Sequence, residues 1–460
     1  MLKHFLFSLI LLPLMLSAQT NIPEEYLQQA VENNLALKQA EFGYRQSMAA
    51  LDQAQSLFLP RVDINARYSL AGGGREIDIP IGDLINPMHT ALNSLMQAQV
   101  FPANLPNESI PFLREKEHET KLRITQPLFR AQIYHNYKLN DKLAQMESVA
   151  KDKYTRELLA NVKTSYFNYI QAKEAVKIYS SYREILTENK RISESLVKNG
   201  KSTHDVVYTA DAELAEIEKN LNSASAKQKS AKYYFNFLLN RDLDAQIVIV
   251  GHNNTPPKMR SKKEYLNNAL NNREELKQLK LAIEAMENKA SIHRSSYLPN
   301  LDFAFDYGFQ GEKYKFDSDS DFWMASFVLS WNLFNGFGDE AQVNAALFAE
   351  KENSAKLEEV KKLIILEIRR SLDHLETARL SVKAATRYKS AAEQSFRLIS
   401  KRYSEGMTGY FEYLDAFSRV QRADQSLNIE KFNLKKAFIE LDKVAALTDI
   451  TKFNKINNEE

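Results

Sequence analysis

VYTADAELAEIEKNLNSASAKQKSAKYYFNFL, residues 207–238, sets Val207, Ala210, Leu214, Ile217, Leu221, Ala224, Gln228, Ala231, Phe235 and Leu238 at alternating steps of three and four. Only Gln228 among them is polar. An α-helix turns once every 3.6 residues, so this spacing lines all ten side chains along one stripe, the a/d seam by which a helix packs on a partner helix. Moving the stripe on by 206 residues gives Tyr413, Ala416, Val420, Ala423, Leu427, Glu430, Leu434, Ala437, Leu441 and Val444, apolar except for Glu430. The same offset carries Leu158, Val162, Ser165, Tyr169, Ala172 and Val176 to Ile364, Ile368, Ser371, Leu375, Ala378 and Val382, and Gly200 to Gly406.

A second offset, 239, relates an earlier stretch: Glu25, Tyr26, Leu27, Ala30, Leu37, Leu59, Pro60, Asp63 and Tyr68 correspond to Glu264, Tyr265, Leu266, Ala269, Leu276, Leu298, Pro299, Asp302 and Tyr307. The chain is therefore an internal duplication. The two offsets differ because residues 71–118 form a longer insertion in the first half than residues 311–320 do in the second. Helix breakers mark the same plan. No proline lies between Pro127 and Pro256, and Gly200 is the sole glycine from residue 83 to 250; past Gly338 only Gly406 and Gly409 remain. Each half then holds two long helices around one turn, at 199–203 and at 405–409. Residues 131–198 and 339–404 give helices of roughly 100 Å at 1.5 Å per residue, which need partners along their length.

In both halves a helix ends at a proline and alternation with period two follows. Phe303, Phe305, Tyr307 and Phe309 alternate with Asp302, Ala304, Asp306 and Gly308, and Trp323, Ala325, Phe327, Leu329, Trp331 and Leu333 alternate with a smaller or more polar set. One apolar aromatic face and one polar face suit strands between lipid and water. Four strands are expected per chain, at 61–70, 119–129, 300–310 and 321–333. Four cannot close a membrane barrel and open edges are not tolerated in lipid, so the chain must oligomerise; a ring of three supplies twelve strands. The fold class is α+β, with long antiparallel α-hairpins and short membrane strands.

Composition narrows the function. The formal charge of +2, from 61 basic and 59 acidic residues, has no basic excess of the kind that phosphate neutralisation requires, so no nucleic acid is expected as a partner. The absence of cysteine removes disulfides, thiol catalysis and thiolate metal sites. None of the eight histidines pairs at metal-ligand spacing, and Gly72, Gly73 and Gly74 lack the lysine of a phosphate loop. No enzyme activity, metal or cofactor is expected. The opening residues have the order of a signal peptide, 1–18, with the mature chain starting near Gln19. After residue 20 no apolar run reaches the ~20 residues of a membrane helix.

The motifs add a family resemblance. Trp331, Asn332, Leu333, Phe334, Asn335, Gly336 and Phe337 resemble the strand-to-helix signature of the TolC-type outer membrane factors, and Thr125, Gln126, Pro127, Leu128 and Phe129 its first-half counterpart. Tyr403, Glu405, Gly406, Tyr413, Leu414, Asp415 and Ala416 resemble the family's second turn and the helix after it. The resemblance implies a homotrimer in outer membrane lipid, with one shared twelve-stranded barrel and a long α-helical tunnel in the periplasm. It implies an exit duct for a tripartite efflux pump or a type I secretion system, partnered by a periplasmic adaptor and an inner-membrane transporter of RND, ABC or MFS type. It divides the chain into a first repeat (19–240), an equatorial linker (241–263, with a strand at Ile247–Val250), a second repeat (264–447) and an equatorial tail (448–460). It sets a pore gate at the periplasmic tip, with Glu412 and Asp415 on one helix face joined by Asp205 and Tyr403, and adaptor docking at the turns of Gly200, Gly406 and Gly409. Two positions depart from the family: Thr408 stands where a basic gate-locking residue can occur, and Asp205 falls one place before the expected acid, leaving Val206 there. The heptad stripes alone also fit a periplasmic coiled-coil structural or adaptor protein. The insertion 71–118 reads as a proline-rich extracellular loop.

Overall fold

The computed structural model describes residues 22–249 and 259–454; the expected signal peptide and Val250 lie outside them. In chain order the elements are α1 (Glu24–Asn33), α2 (Leu35–Ser56), β1 (Arg61–Leu70), β2 (Glu76–Ile79), α3 (Ile81–Leu95), β3 (Glu108–Pro111), β4 (Lys116–Phe129), α4 (Ala131–Lys198) and α5 (His204–Leu238). There follow α6 (Lys262–Asn272), α7 (Glu274–Arg294), a 3-10 turn at Ser295–Tyr297, β5 (Asn300–Gly311), β6 (Asp321–Ser330), α8 (Gly338–Ser404), α9 (Tyr410–Val444) and α10 (Thr451–Asn454). None of the described helices is long and apolar enough to cross a membrane.

The duplication extends to backbone detail. The offset of 206 carries α5 onto α9 residue for residue, and both long hairpins turn through a glycine with positive φ, +68° at Gly200 and +73° at Gly406. In each hairpin the long helix ends in the same double bond: Gly200 N–H to Val197 O and Lys201 N–H to Leu196 O, then Gly406 N–H to Tyr403 O and Met407 N–H to Arg402 O. This Schellman arrangement needs a left-handed residue where the helix stops, which glycine adopts without strain.

The helix before each first strand reads as continuous in sequence, yet it is broken, at Asn34 in one half and Arg273 in the other, by extended backbone with ψ of 122° and 129°. The two breaks are 239 residues apart and do the same work. Asn34 donates to Leu238 O at 2.9 Å, and Arg273 donates to Val444 O at 3.2 Å, so each break closes a carbonyl at the end of its own half's second hairpin helix.

Two compact units cut across the repeats: residues 1–49, 141–285 and 348–460 make a helical unit, and 50–140 and 286–347 make a sheet unit. All three apolar clusters of buried residues lie in the helical unit. One gathers Tyr26, Tyr166, Phe167, Phe235, Ile439 and Phe453; a second joins the two hairpin ends; the third centres on Ile364, Ile368, Leu375 and Leu441. All ten positions of the second stripe are buried or half-buried, as are those of the first, where Leu221 is half-buried. Residues 241–249 contain no strand, contrary to the expectation for Ile247–Val250; Ile247 instead turns into the first cluster at 7% exposure. A buried ion pair, Arg156 Nη2 to Glu274 Oε1 at 2.8 Å, ties α4 to α7, and Arg156 Nη1 donates to Thr448 O at 2.7 Å, which holds the start of the tail.

The sheet unit is built on one antiparallel sheet in the order β1-β4-β5-β6. Its alternation is the expected one, with two corrections at the ends. β4 begins at Lys116, three residues before the expected 119, because Lys116, Glu117 and His118 find partners in Leu70, Ser69 and Tyr68. β6 stops at Ser330, short of 333, because its partner β5 begins at Asn300, opposite Ser330. The insertion is no plain loop: β2 pairs with β3, Glu76 opposite Pro111 and Ile79 opposite Glu108, and α3 lies between them.

Candidate functional site

Two places carry the chemistry: the turn end of the helical hairpins and the polar face of the sheet. At the second turn, Glu412 lies in the first turn of α9, where the helix dipole favours an acid. It accepts a hydrogen bond from the Thr408 hydroxyl and lies 3.6 Å from Arg402 Nη1. Asp415 pairs one turn along with Arg419 at 2.6 Å. All four charged side chains are half exposed, so both ion pairs are weak and screened. Tyr403 makes no bond to these acids; its ring stacks on Tyr413 at 4.9 Å between centroids, inside a run of rings that takes in Tyr410, Phe396 and Phe417.

At the first turn Asp205 is exposed on the first turn of α5 and accepts from the Thr203 hydroxyl. Val206, where an acid is expected, is buried at 8% exposure in the cluster that joins the two hairpins. Gly409 caps α9 with φ −83°, so it has no need of glycine's conformational freedom, unlike Gly406. Toward the turns, contacts that cross between hairpins include the Tyr182 hydroxyl donating to Asp424 Oδ2 at 2.7 Å and Asn189 Nδ2 donating to the Tyr413 hydroxyl at 3.3 Å. Burial first, and the Asp424 bond second, hold the Tyr182 phenol well above its ordinary pKa.

On the sheet, β4 and β5 carry a ladder of charge. Arg123 grips Asp306 with two bonds of 2.7 and 2.6 Å, Lys121 stands 3.6 Å from the same carboxylate and 2.6 Å from Glu119, and Arg67 reaches Glu119 at 3.4 Å. Asp306 is 1% exposed. Beyond Phe129, Arg130 makes a matching two-bond grip on Asp302. The opposite face is apolar and open, with Ile64, Leu70, Trp323 and Phe327 between 70% and 76% exposed. A sheet with an ionic face, a bare apolar face and two free edges is built to stand between water and lipid.

A family model described as outer membrane efflux protein matches residues 26–240 and 265–446. The chain belongs to the outer membrane efflux protein family. It is 22% identical over 443 residues to the outer membrane protein TolC of Escherichia coli K12, which covers 91% of this chain and 80% of that protein. Among solved structures it resembles the CmeC outer membrane channel of Campylobacter jejuni, with a TM-score of 0.76 at 17% identity over 95% of this chain and 89% of that one. It also resembles the open state of the MtrE outer membrane channel of Neisseria gonorrhoeae, with a TM-score of 0.73 at 15% identity over 92% and 88%. Members of the outer membrane efflux protein family are trimeric, non-enzymatic transport ducts of the outer membrane with long periplasmic portions, so the reading as a coiled-coil structural or adaptor protein falls away.

Several residues that matter to these sites are silent in the sequence. The Arg123–Asp306 and Arg130–Asp302 grips join positions 183 and 172 residues apart, and only strand register brings them together. The Arg402–Glu412 pair crosses a turn. Asp415–Arg419, by contrast, is an i,i+4 acid–base pair that helical spacing alone could have found.

Proposed function

We propose that three copies of this chain close one barrel, with β1 of each protomer pairing to β6 of the next, and that the hairpin turns form the periplasmic entrance of an exit duct. The duct takes cargo from a periplasmic adaptor and an inner-membrane transporter of RND, ABC or MFS type, as part of a tripartite efflux pump or a type I secretion system. The observation that carries this reading is the sheet: four strands, two free edges and an exposed apolar face are stable in a bilayer only as part of a closed ring. In detergent the protein is expected to run as a trimer by light scattering and to form pores in planar bilayers. A monomeric species with pore activity would overturn the ring.

The gate belongs to the same proposal. In a trimer, Glu412 and Asp415 each become a ring of three carboxylates, with Arg402 and Arg419 as partial counter-charges. Closely held like charges in a narrow passage attract cations and bind multivalent ones. The Glu412→Ala, Asp415→Ala double variant is expected to lose cation selectivity, read as reversal potential, and to be blocked less by a trivalent cation added from the periplasmic side. Unchanged selectivity and block would remove these residues from the gate while leaving the duct intact.

A further inference from the structure

The segment joining β1 to β4 is folded inside out. Toward its own trailing loop α3 turns Gly82, Asn86, His89 and Asn93, which share one helix face. Asn93 accepts the N–H groups of Val100 and Phe101 at 2.9 Å each and donates to Phe101 O at 2.7 Å. Asn86 takes the Leu105 N–H at 2.8 Å and donates to Leu105 O at 2.9 Å. Gly82 lies so close beneath that loop that a Cβ would stand 2.1 Å from Leu105 O. Amide side chains strap the loop to the helix, helped by the His89 ring, which lies 5.3 Å from the Phe101 ring and bonds Pro102 O.

The apolar residues are left facing outward. Leu84, Met88, Leu92 and Leu95 follow one another at helical spacing on the far side and are 66%, 63%, 39% and 82% exposed. On the β2–β3 ribbon the cross-strand pair Ile77 and Ile110 is also open, at 51% and 47%. A helix with its polar residues turned in and its apolar stripe turned out is arranged for a partner, since a lone soluble surface does not keep a contiguous apolar stripe.

We propose that this stripe packs against the same insertion of the neighbouring protomers, so that three copies form a collar over the outer mouth of the duct. The inference rests on the trimeric reading above. Its first support is continuity with the ring interface: β1 is an edge strand, its free edge is the one that meets the next protomer, and the insertion is rooted at its end, at Leu70. The insertion leaves at the end of the sheet opposite to that where α2 and α4 join, the outward end of the barrel. Its second support is charge. Between Arg75 and Arg114 there is no lysine or arginine, while Glu76, Asp78, Asp83 and Glu108 are acidic. A surface meant for the anionic headgroups of a membrane leaflet carries basic residues. An apolar, weakly acidic stripe instead fits a copy of itself, and threefold symmetry brings the copies together around one axis.

Because the chain has no cysteine, Leu92→Cys and Leu95→Cys each place one unique thiol on the stripe, with Gln99→Cys as an exposed reference. The variants are made in the full-length protein in outer membranes and tested for the native trimer. The expected result is that both stripe thiols lose labelling by a water-soluble maleimide relative to Gln99→Cys. A bifunctional maleimide is expected to shift them to a cross-linked dimer on a denaturing gel. Absence of the trimer with the wild-type chain would overturn the ring itself. An intact trimer with freely labelled thiols and no cross-link would overturn the collar and leave the stripe to another partner. Thiols shielded from water, reached by a lipid-soluble maleimide and never cross-linked would assign the stripe to lipid and overturn it equally.

Discussion

The two hairpin turns share one backbone and differ in what fills it. Both end a long helix in the same two hydrogen bonds through a left-handed glycine. Around the second turn Phe396, Tyr403, Tyr410, Tyr413 and Phe417 form a continuous run of rings. At the offset of 206 the first hairpin has Lys190, Val197, His204, Val207 and Asp211 in the same places. Where the second hairpin sets Phe396 near Phe417 at 5.8 Å, the first sets Lys190 against Asp211 at 2.6 Å. The repeat position is shared and its chemistry differs: a partly exposed ion pair in the first hairpin, an aromatic pair in a buried cluster in the second. At this repeat position the first hairpin is therefore held by an ion pair open to solvent, and the second by a buried ring.

The largest expected effect tests that contrast at one repeat position. Phe417 is 2% exposed, so Phe417→Ala removes a buried ring and is expected to cost about 3–5 kcal/mol of local stability. Its counterpart Asp211→Ala breaks an ion pair whose side chains are 31% and 46% exposed, and is expected to cost at most about 1 kcal/mol. Native-state hydrogen exchange at the two hairpin ends reads both. Equal losses of protection would mean that the ends are stabilised alike and that the aromatic run is incidental.

How much of this was legible depended on whether the signal was local. The seam of α5 and α9, the two turns and the alternation of β5 all follow from short-range periodicity, and they stand where the sequence sets them. Errors arose where a partner strand decides. Alternation runs on to Leu333, but β5 begins only at Asn300, opposite Ser330, and the Trp331 indole N–H turns away to donate to Tyr297 O at 3.0 Å. The insertion is illegible because asparagine side chains bonded to backbone leave no periodic trace, and its glycine, proline, asparagine, aspartate and serine residues read as loop. At the candidate gate the acids were readable as helix-face residues, but Arg402 was not, since it faces Glu412 only once the chain has turned through Gly406.

A middle-sized effect tests the shared part of the comparison. Gly200 and Gly406 have positive φ and nothing within 4 Å of where a Cβ would stand, so alanine meets strain without collision. Gly200→Ala and Gly406→Ala are each expected to lower stability by about 1–2 kcal/mol, by the same amount within error. Thermal unfolding of the two variants checks this. A Gly406→Ala loss several times the Gly200→Ala loss would show that the aromatic run makes the second turn rigid enough to amplify backbone strain.

The smallest effect at neutral pH comes from the Tyr410 hydroxyl, and it grows only in alkali. Burial, and then the neighbouring Tyr403, push the Tyr410 phenol from its ordinary 10.0 up to about 12. A phenol whose folded pKa is raised binds its proton more tightly folded than unfolded. Its contribution is therefore complete below pH 10, where both states are protonated, and is lost as pH rises from 10 towards 12, because the unfolded chain ionises first. The first turn has His204 at this position, so Tyr410 has no counterpart phenol there; the first hairpin's buried Tyr182 lies further along α4, away from the turn. Hydrogen exchange at the second turn should thus accelerate between pH 10 and 12 beyond the intrinsic rise with pH, and Tyr410→Phe should flatten that extra loss while leaving exchange at neutral pH nearly unchanged. If the first turn loosens over the same interval as steeply as the second, the alkaline loss belongs to the whole assembly, and burial of the Tyr410 ring does not set the difference between the two ends.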